Sequence, residues 1–263
     1  MTVKLKLKNN FIILFICLLP FLFVGGCSKE NLYNKTIDLD GKKINISFYT
    51  KKDGKKILEN IKKIYINYNN IIKEFDSNTE INYKDELKEI VDTGLKFKQY
   101  NKYIKFNPIL KKNKIVKNNS DISFFALSLA NNRVKNYLKS KKITKFKINS
   151  NKFVLTGLNN AQEYYTILIP SFFDDSIITL KSKDEYIVTK SINDFSNKDT
   201  SNVSVTVISK NNDIKNIDFI ASLLLYLPIN EGKIFIKKYD IDVIWYYYYN
   251  GKEKVEYTNI NAY

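Results

Sequence analysis

Segments of helical and of strand periodicity are segregated along this chain, and that segregation restricts its fold class more than any other feature. Over residues 55–75 the apolar side chains Ile57, Ile61, Ile64, Tyr68, Ile71, Ile72 and Phe75 recur at helical spacing. Two more helical stretches follow. One covers 85–99, with Leu87, Ile90, Val91 and Leu95 inward, and one covers 122–138, through Phe125, Ala126, Leu129, Val134 and Leu138. Strands then dominate, over 145–148, 152–156, 164–169, 176–180 and 203–208. Val203, Val205 and Val207 give a period of two. A short apolar helix is expected over 218–227 and a final strand over 241–249, before an Asn250-Gly251 turn. One strand precedes all the helices, over 42–49, with Ile44, Ile46 and Phe48 on one face. This order predicts an α+β fold with a mixed or antiparallel sheet, not the regular βαβ alternation of a doubly wound sheet. There is no internal repeat and no Pro/Ser-rich linker, so 263 residues suit one unit.

Composition then removes function classes. The chain has no histidine, which excludes a Ser-His-Asp triad, a Cys-His pair and His-ligated zinc or haem. A metal would have to be held by oxygen, which favours magnesium or calcium. The formal charge is +16, yet Arg133 is the only arginine and the lysines are scattered. Arginine forks dominate specific phosphate and base readout. Lysine spread evenly with Asn, Ile and Tyr resembles the codon usage of an AT-rich genome. No nucleic-acid partner is expected, only weak attraction to anionic surfaces.

The N-terminus reads as an address. Lys4, Lys6 and Lys8 precede an apolar run over 11–24, too short for a membrane span. The run ends in Val24-Gly25-Gly26-Cys27-Ser28, small residues before a cysteine in the manner of a bacterial lipobox. The expected organisation is a lipoprotein signal peptide over 1–26, a lipidated Cys27 with a tether to residue 38, and a domain over 39–263. The alternative is an uncleaved signal anchor. Cys17 leaves with the leader, so the mature chain has no disulfide to support it. The place is then the bacterial cell envelope, outside the cytoplasm, with Cys27 joining the chain to the membrane.

Few residues offer chemistry. Asp218 opens an otherwise apolar helix, and Ser222 lies four residues on, so both oxygens share a face. Such a pair could hold Mg2+ that also binds phosphate. Asp218 could equally be a helix N-terminal acid favoured by the macrodipole. Glu80 and the Asp174-Asp175 pair lie in expected loops, where acids are usually solvated. No glycine-rich phosphate loop exists. The aromatic run Trp245-Tyr246-Tyr247-Tyr248-Tyr249 suits sheet packing better than ligand stacking.

The order of motifs resembles the ApbE family, the FAD:protein FMN transferases. The residues are Ile44-Asn45-Ile46-Ser47-Phe48; the acidic turn Phe75-Asp76-Ser77-Asn78-Thr79-Glu80-Ile81; Phe106-Asn107-Pro108; Leu127-Ser128-Leu129-Ala130-Asn131-Asn132-Arg133-Val134; Asn149-Ser150-Asn151-Lys152; then Val203 to Val207, Asp218 to Ser222, and Glu231-Gly232. The resemblance covers the whole mature chain and implies one ApbE-like, T-fold-like unit. It implies FAD and Mg2+ as cofactors, with Asp218 and Ser222 on the metal and Glu80 and Asn149 in the FAD site. It further implies an exported flavoprotein as acceptor, whose Thr or Ser receives FMN by metal-assisted phosphoryl transfer.

The chain also departs from that pattern. Leu127 stands for the family lysine, Asn132 for the helix Asp, and Asn151-Lys152 for two glycines. The family's His-x-x-Asp-Pro segment is missing before Val203. Electrostatic donors of this kind are each worth on the order of 3 kcal/mol in a transition state. The alternative is therefore a catalytically silent flavin-binding or structural envelope lipoprotein.

Overall fold

The two edges of the main sheet are made by the same device, a two-residue turn ending in glycine. In the computed structural model Asn31–Leu39 (β1) turns at Asp40-Gly41 into Lys42–Thr50 (β2), and Ile241–Tyr249 (β12) turns at Asn250-Gly251 into Lys252–Thr258 (β13). All four turn residues have positive φ, between 50° and 82°, as a type I′ hairpin requires. The structure describes residues 29–78, 80–83, 85–104, 106–116, 120–194, 202–209 and 215–258. The expected signal peptide and Cys27 lie outside the described residues. Residues Leu32–Tyr263 form one compact unit.

Between those hairpins lie Phe146–Asn149 (β6), Phe153–Thr156 (β7), Tyr186–Ser191 (β10) and Asn202–Ser209 (β11), giving an eight-stranded sheet in the order β1-β2-β6-β7-β10-β11-β12-β13. From β2 to β13 neighbouring strands pair antiparallel. The α+β expectation holds. Residues 31–38, expected as tether, instead begin the first strand. Ile37 is buried and Tyr33 stacks on Phe48, so this segment has apolar surface to cover. The strand at 241–249 is not the last, because the chain doubles back as β13.

Helices cover one face of the sheet. Gly54–Ser77 (α1) starts at Asp53, whose carboxylate accepts the Lys56 N–H, and buries Ile57, Ile61, Tyr65, Tyr68 and Phe75. Asp85–Leu95 (α2) ends four residues earlier than its periodicity suggests. Gly94 is where the rings of Phe106 and Phe125 press against that helix. Ser123–Ser140 (α3) and Ile217–Tyr226 (α4), buried from Ile217 through Leu225, complete the inner layer, with Ile229–Ile236 (α5) following. A small sheet, Glu80–Asn82 (β3), Lys114–Val116 (β5) and Ile109–Lys111 (β4), stands apart. The opposite face of the main sheet is covered by the hairpin Tyr165–Pro170 (β8) and Ile177–Ser182 (β9).

Burial on both faces explains two details. Trp245 enters the helix-side core while its neighbour Tyr246 enters the hairpin-side core, so the aromatic run packs the sheet. Val203, Val205 and Val207 do not share a face. Val203 belongs to the hairpin-side cluster and the other two to the helix side, with a register shift between Asn202 and Ser204. A bulge adds a residue and reverses the alternation there.

Candidate functional site

Asp218 lies in the first turn of α4 and is fully buried, so its charge must be answered from within the protein. Its Oδ2 accepts hydrogen bonds from the Tyr186 hydroxyl at 2.6 Å and from Ser128 Oγ at 2.8 Å. Ser128 also accepts the Asp218 backbone N–H at 3.0 Å, which locks α3 to α4. The Tyr186 hydroxyl in turn accepts from Asn131 Nδ2 at 2.6 Å, and Asn131 Oδ1 accepts from the Tyr65 hydroxyl at 2.6 Å. One directed chain thus runs from α1 through α3 and β10 to α4. Burial first, and the nearby Asp218 charge second, push the Tyr186 and Tyr65 hydroxyls far above the ordinary tyrosine range. Both remain protonated donors at any physiological pH.

The other carboxylate oxygen is answered differently. Lys190 Nζ stands 3.3 Å from Asp218 Oδ1, and the Lys190 side chain is 8% exposed. This contact is an ion pair without hydrogen-bond alignment, since Oδ1 has no hydrogen-bond partner. Tyr186 and Lys190 sit on the same face of β10, four residues apart, and reach Asp218 from either side.

Asp218 and Lys190 form part of the lining of a cleft of about 710 Å³. The β1–β2 turn contributes Gly41, Lys42 and Lys43; α1 contributes Tyr65, Tyr68 and Asn69. The start of α3 adds Asp121, Ser123, Phe124 and Leu127, and the β6–β7 turn adds Ser150 to Phe153. Lys190 Nζ also lies 5.8 Å from the centroid of the Phe124 ring. The lining therefore combines lysines with aromatic rings and backbone turns, a surface suited to an anionic ligand with a flat ring.

The expected site residues fare unequally. Asp218 reaches the cleft. Ser222 does not act beside it: its Oγ donates to the Asp218 backbone carbonyl at 2.9 Å and is buried in the helix packing. Spacing of four puts two residues on one face but leaves the rotamer open, and here the hydroxyl bonds back onto its own helix. Glu80 lies on the small sheet, where Lys114 at 3.0 Å and Lys111 at 3.9 Å hold its carboxyl below the usual range. It is exposed and is not among the cleft residues. Asn149 ends β6 opposite Asn45 and stops just short of the cleft, which its successors Ser150, Asn151 and Lys152 line.

Magnesium asks for near-octahedral oxygen ligands at about 2.0–2.1 Å. Two carboxylates line the cleft: Asp218, whose Oδ1 has an ammonium already beside it, and Asp121, whose Oδ1 accepts the Ser123 N–H. The described residues contain no cluster of three or more Asp, Glu, Cys or His that could hold a metal. In this arrangement Asp218 and Ser222 do not present two side-chain oxygens together to a magnesium ion, because the Ser222 hydroxyl is turned onto its own helix. Sequence reasoning missed Ser128, Asn131, Tyr186 and Lys190. A polar residue on the buried face of the helix over 122–138 would have pointed to the first two, but nothing local pointed to β10.

No protein-family profile matches this chain, and no curated protein sequence matches it. Solved structures do. The Flavin Transferase ApbE from Vibrio cholerae superposes with a TM-score of 0.72 at 14% identity, covering 88% of this chain and 98% of that one. The flavinyl transferase ApbE of Pseudomonas stutzeri in its apo form gives 0.69 at 10% identity, covering 88% and 96%. The ApbE protein from Thermotoga maritima gives 0.65 at 13% identity, covering 87% and 97%. The chain shares the fold of these proteins over nearly their whole length.

Proposed function

We propose that this chain, which has the fold of the ApbE flavin transferases, is a bacterial-envelope lipoprotein that holds FAD in the cleft above Asp218. The observation that carries this reading is the cleft itself. It is large enough for a dinucleotide, and Lys42, Lys43, Lys152 and Lys190 line it together with Tyr65, Tyr68 and Phe124. Lysines supply point charges for a pyrophosphate, and aromatic rings supply flat apolar surface for an isoalloxazine. Cys27 would carry the lipid that keeps the domain at the membrane surface, outside the cytoplasm.

The chain's own residues would act by position. The chain Tyr65–Asn131–Tyr186 fixes Asp218, Asp218 fixes the Lys190 ammonium, and Lys190 faces the ligand's phosphates. The turn at Ser150 to Lys152 is closed by its own hydrogen bonds, Ser150 N–H to the Phe153 carbonyl at 2.9 Å and Lys152 N–H to Ser150 Oγ at 3.1 Å. It presents a preformed wall, so little ordering is needed on binding.

A second reading is that the chain also transfers FMN. It is favoured by a carboxylate and an ammonium set side by side in the cleft. The hydroxyl oxygen of a Thr or Ser on an exported flavoprotein would attack the phosphorus of the FMN half of FAD. The bridging P–O bond would break, AMP would leave, and the hydroxyl proton would be released. The two readings separate in one assay. Full-length protein is incubated with FAD, Mg2+ and a flavoprotein acceptor, and free AMP and protein-bound flavin are measured. Retained FAD without AMP is the expected result. AMP with covalent flavin on the acceptor establishes the second reading. No retention at roughly tens of micromolar, the scale of weak ligands, refutes both.

A further inference from the structure

The cation that answers Asp218 is a side chain, and this has a consequence for what the cleft requires. The carboxylate has two oxygens in different circumstances. Oδ2 is occupied by the Tyr186 and Ser128 hydroxyls, while Oδ1 meets Lys190 Nζ at 3.3 Å with no hydrogen bond between them. The ammonium is thus held close by charge while its N–H bonds are not aligned on Asp218. It lines the cleft beside Phe124. An ammonium carries three donors and no acceptor, which suits a phosphate oxygen arriving from the cleft side.

We propose that Lys190 is the resident cation of this cleft, meeting the pyrophosphate of the bound dinucleotide in place of a divalent metal. The proposal rests on the reading that FAD occupies the cleft, and it specifies how. A metal ion on Asp218 Oδ1 would sit within a few ångströms of the ammonium, so like charges would oppose it. The only other oxygen the sequence offered, Ser222 Oγ, is turned onto its own helix. A lysine on a central strand is ordered when the protein folds, so its charge is available at any metal concentration. The buried hydroxyls of Tyr186 and Ser128 keep Asp218 from rotating away. Lys190 is a binding residue under this proposal, and Tyr186, Asn131 and Ser128 are positioning residues.

The test is a titration of full-length wild-type protein with FAD, followed by flavin fluorescence, once in excess EDTA and once with excess Mg2+. The expected Kd values agree within about twofold. Lys190→Met is then titrated with FAD and with riboflavin, which has no pyrophosphate. The expected result is a loss of FAD affinity of about tenfold or more, with riboflavin affinity unchanged. FAD binding by the wild type only when Mg2+ is present overturns the proposal and leaves the FAD reading intact. Equal FAD affinity in Lys190→Met and wild type does the same. Failure of the wild type to bind FAD in either buffer overturns the FAD reading itself. If Lys190→Met loses riboflavin as well, the wild-type comparison of EDTA with Mg2+ decides alone.

Discussion

Replacing Tyr186 by Phe removes one oxygen from the buried hydrogen-bond chain and nothing else. That oxygen donates to Asp218 Oδ2 and accepts from Asn131 Nδ2, both at 2.6 Å. A hydrogen bond to a charged group is worth about 1.5–3 kcal/mol, and an orphaned buried donor costs about 1–3 kcal/mol. The ring is retained, so no cavity opens, and the expected loss of stability is about 2–4 kcal/mol. Urea unfolding measures it, read by the fluorescence of Trp245, the single tryptophan and fully buried. A second signature is specific to this hydroxyl. Burial and the Asp218 charge raise its pKa far above the ordinary value in the folded state. In the unfolded chain a tyrosine ionises near pH 10. Above about pH 10 the unfolded state therefore binds fewer protons than the folded state, and stability falls as pH rises. Each such group contributes a slope of about 1.4 kcal/mol per pH unit there. Tyr186→Phe should flatten the alkaline limb by about one such group. A loss below about 0.5 kcal/mol, or alkaline limbs that run parallel, would refute the reasoning.

Three further expectations follow from other parts of the molecule. A Cβ at Gly157 would lie 2.2 Å from the Thr144 carbonyl oxygen, so Gly157→Ala should lower stability by about 1–3 kcal/mol in the same urea assay. Glu80→Ala removes an exposed ion pair remote from the cleft lining, and should leave both the urea midpoint and FAD affinity unaltered. Cys27→Ser should abolish metabolic labelling with a radioactive fatty acid and release the chain from the membrane fraction; persistent labelling would contradict the lipoprotein reading.

Part of the fold was legible because its elements bury one face. The helix over 55–75 announces itself because only one stripe meets the sheet, and Asp53 marks its start. The strand over 241–249, buried on both faces, is plain instead from its continuous apolar and aromatic run, with the Asn250-Gly251 turn behind it. Asp40-Gly41 carries the same turn signature, but the edge strand before it is mostly polar and exposed, with Ile37 its one fully buried residue, so its sequence reads as a tether. Tyr186–Ser191 escaped notice for the opposite reason. It is a short central strand covered on both faces, so polar and apolar residues do not alternate along it. The site suffered from that omission, because Tyr186 and Lys190 both lie on this strand. Asp218 was legible as an acid in an apolar helix, but its partners were not. Ser128 comes from α3 and Tyr186 and Lys190 from β10, and only tertiary packing brings them within 3.3 Å of one carboxylate. Ser222 shows the converse, a correct spacing with a rotamer that turns the hydroxyl away.

The central claim is that FAD sits in the cleft above Asp218, and backbone hydrogen exchange of the full-length protein with and without FAD tests both the binding and its place. Slower exchange is expected in the β1–β2 turn around Gly41 to Lys43, at the start of the helix Ser123–Ser140, and in the turn Ser150 to Lys152. Exchange in Glu80–Asn82 and in the hairpin Tyr165–Pro170 with Ile177–Ser182 should not change. Unaltered exchange throughout, or protection confined to elements outside the cleft, would contradict the account.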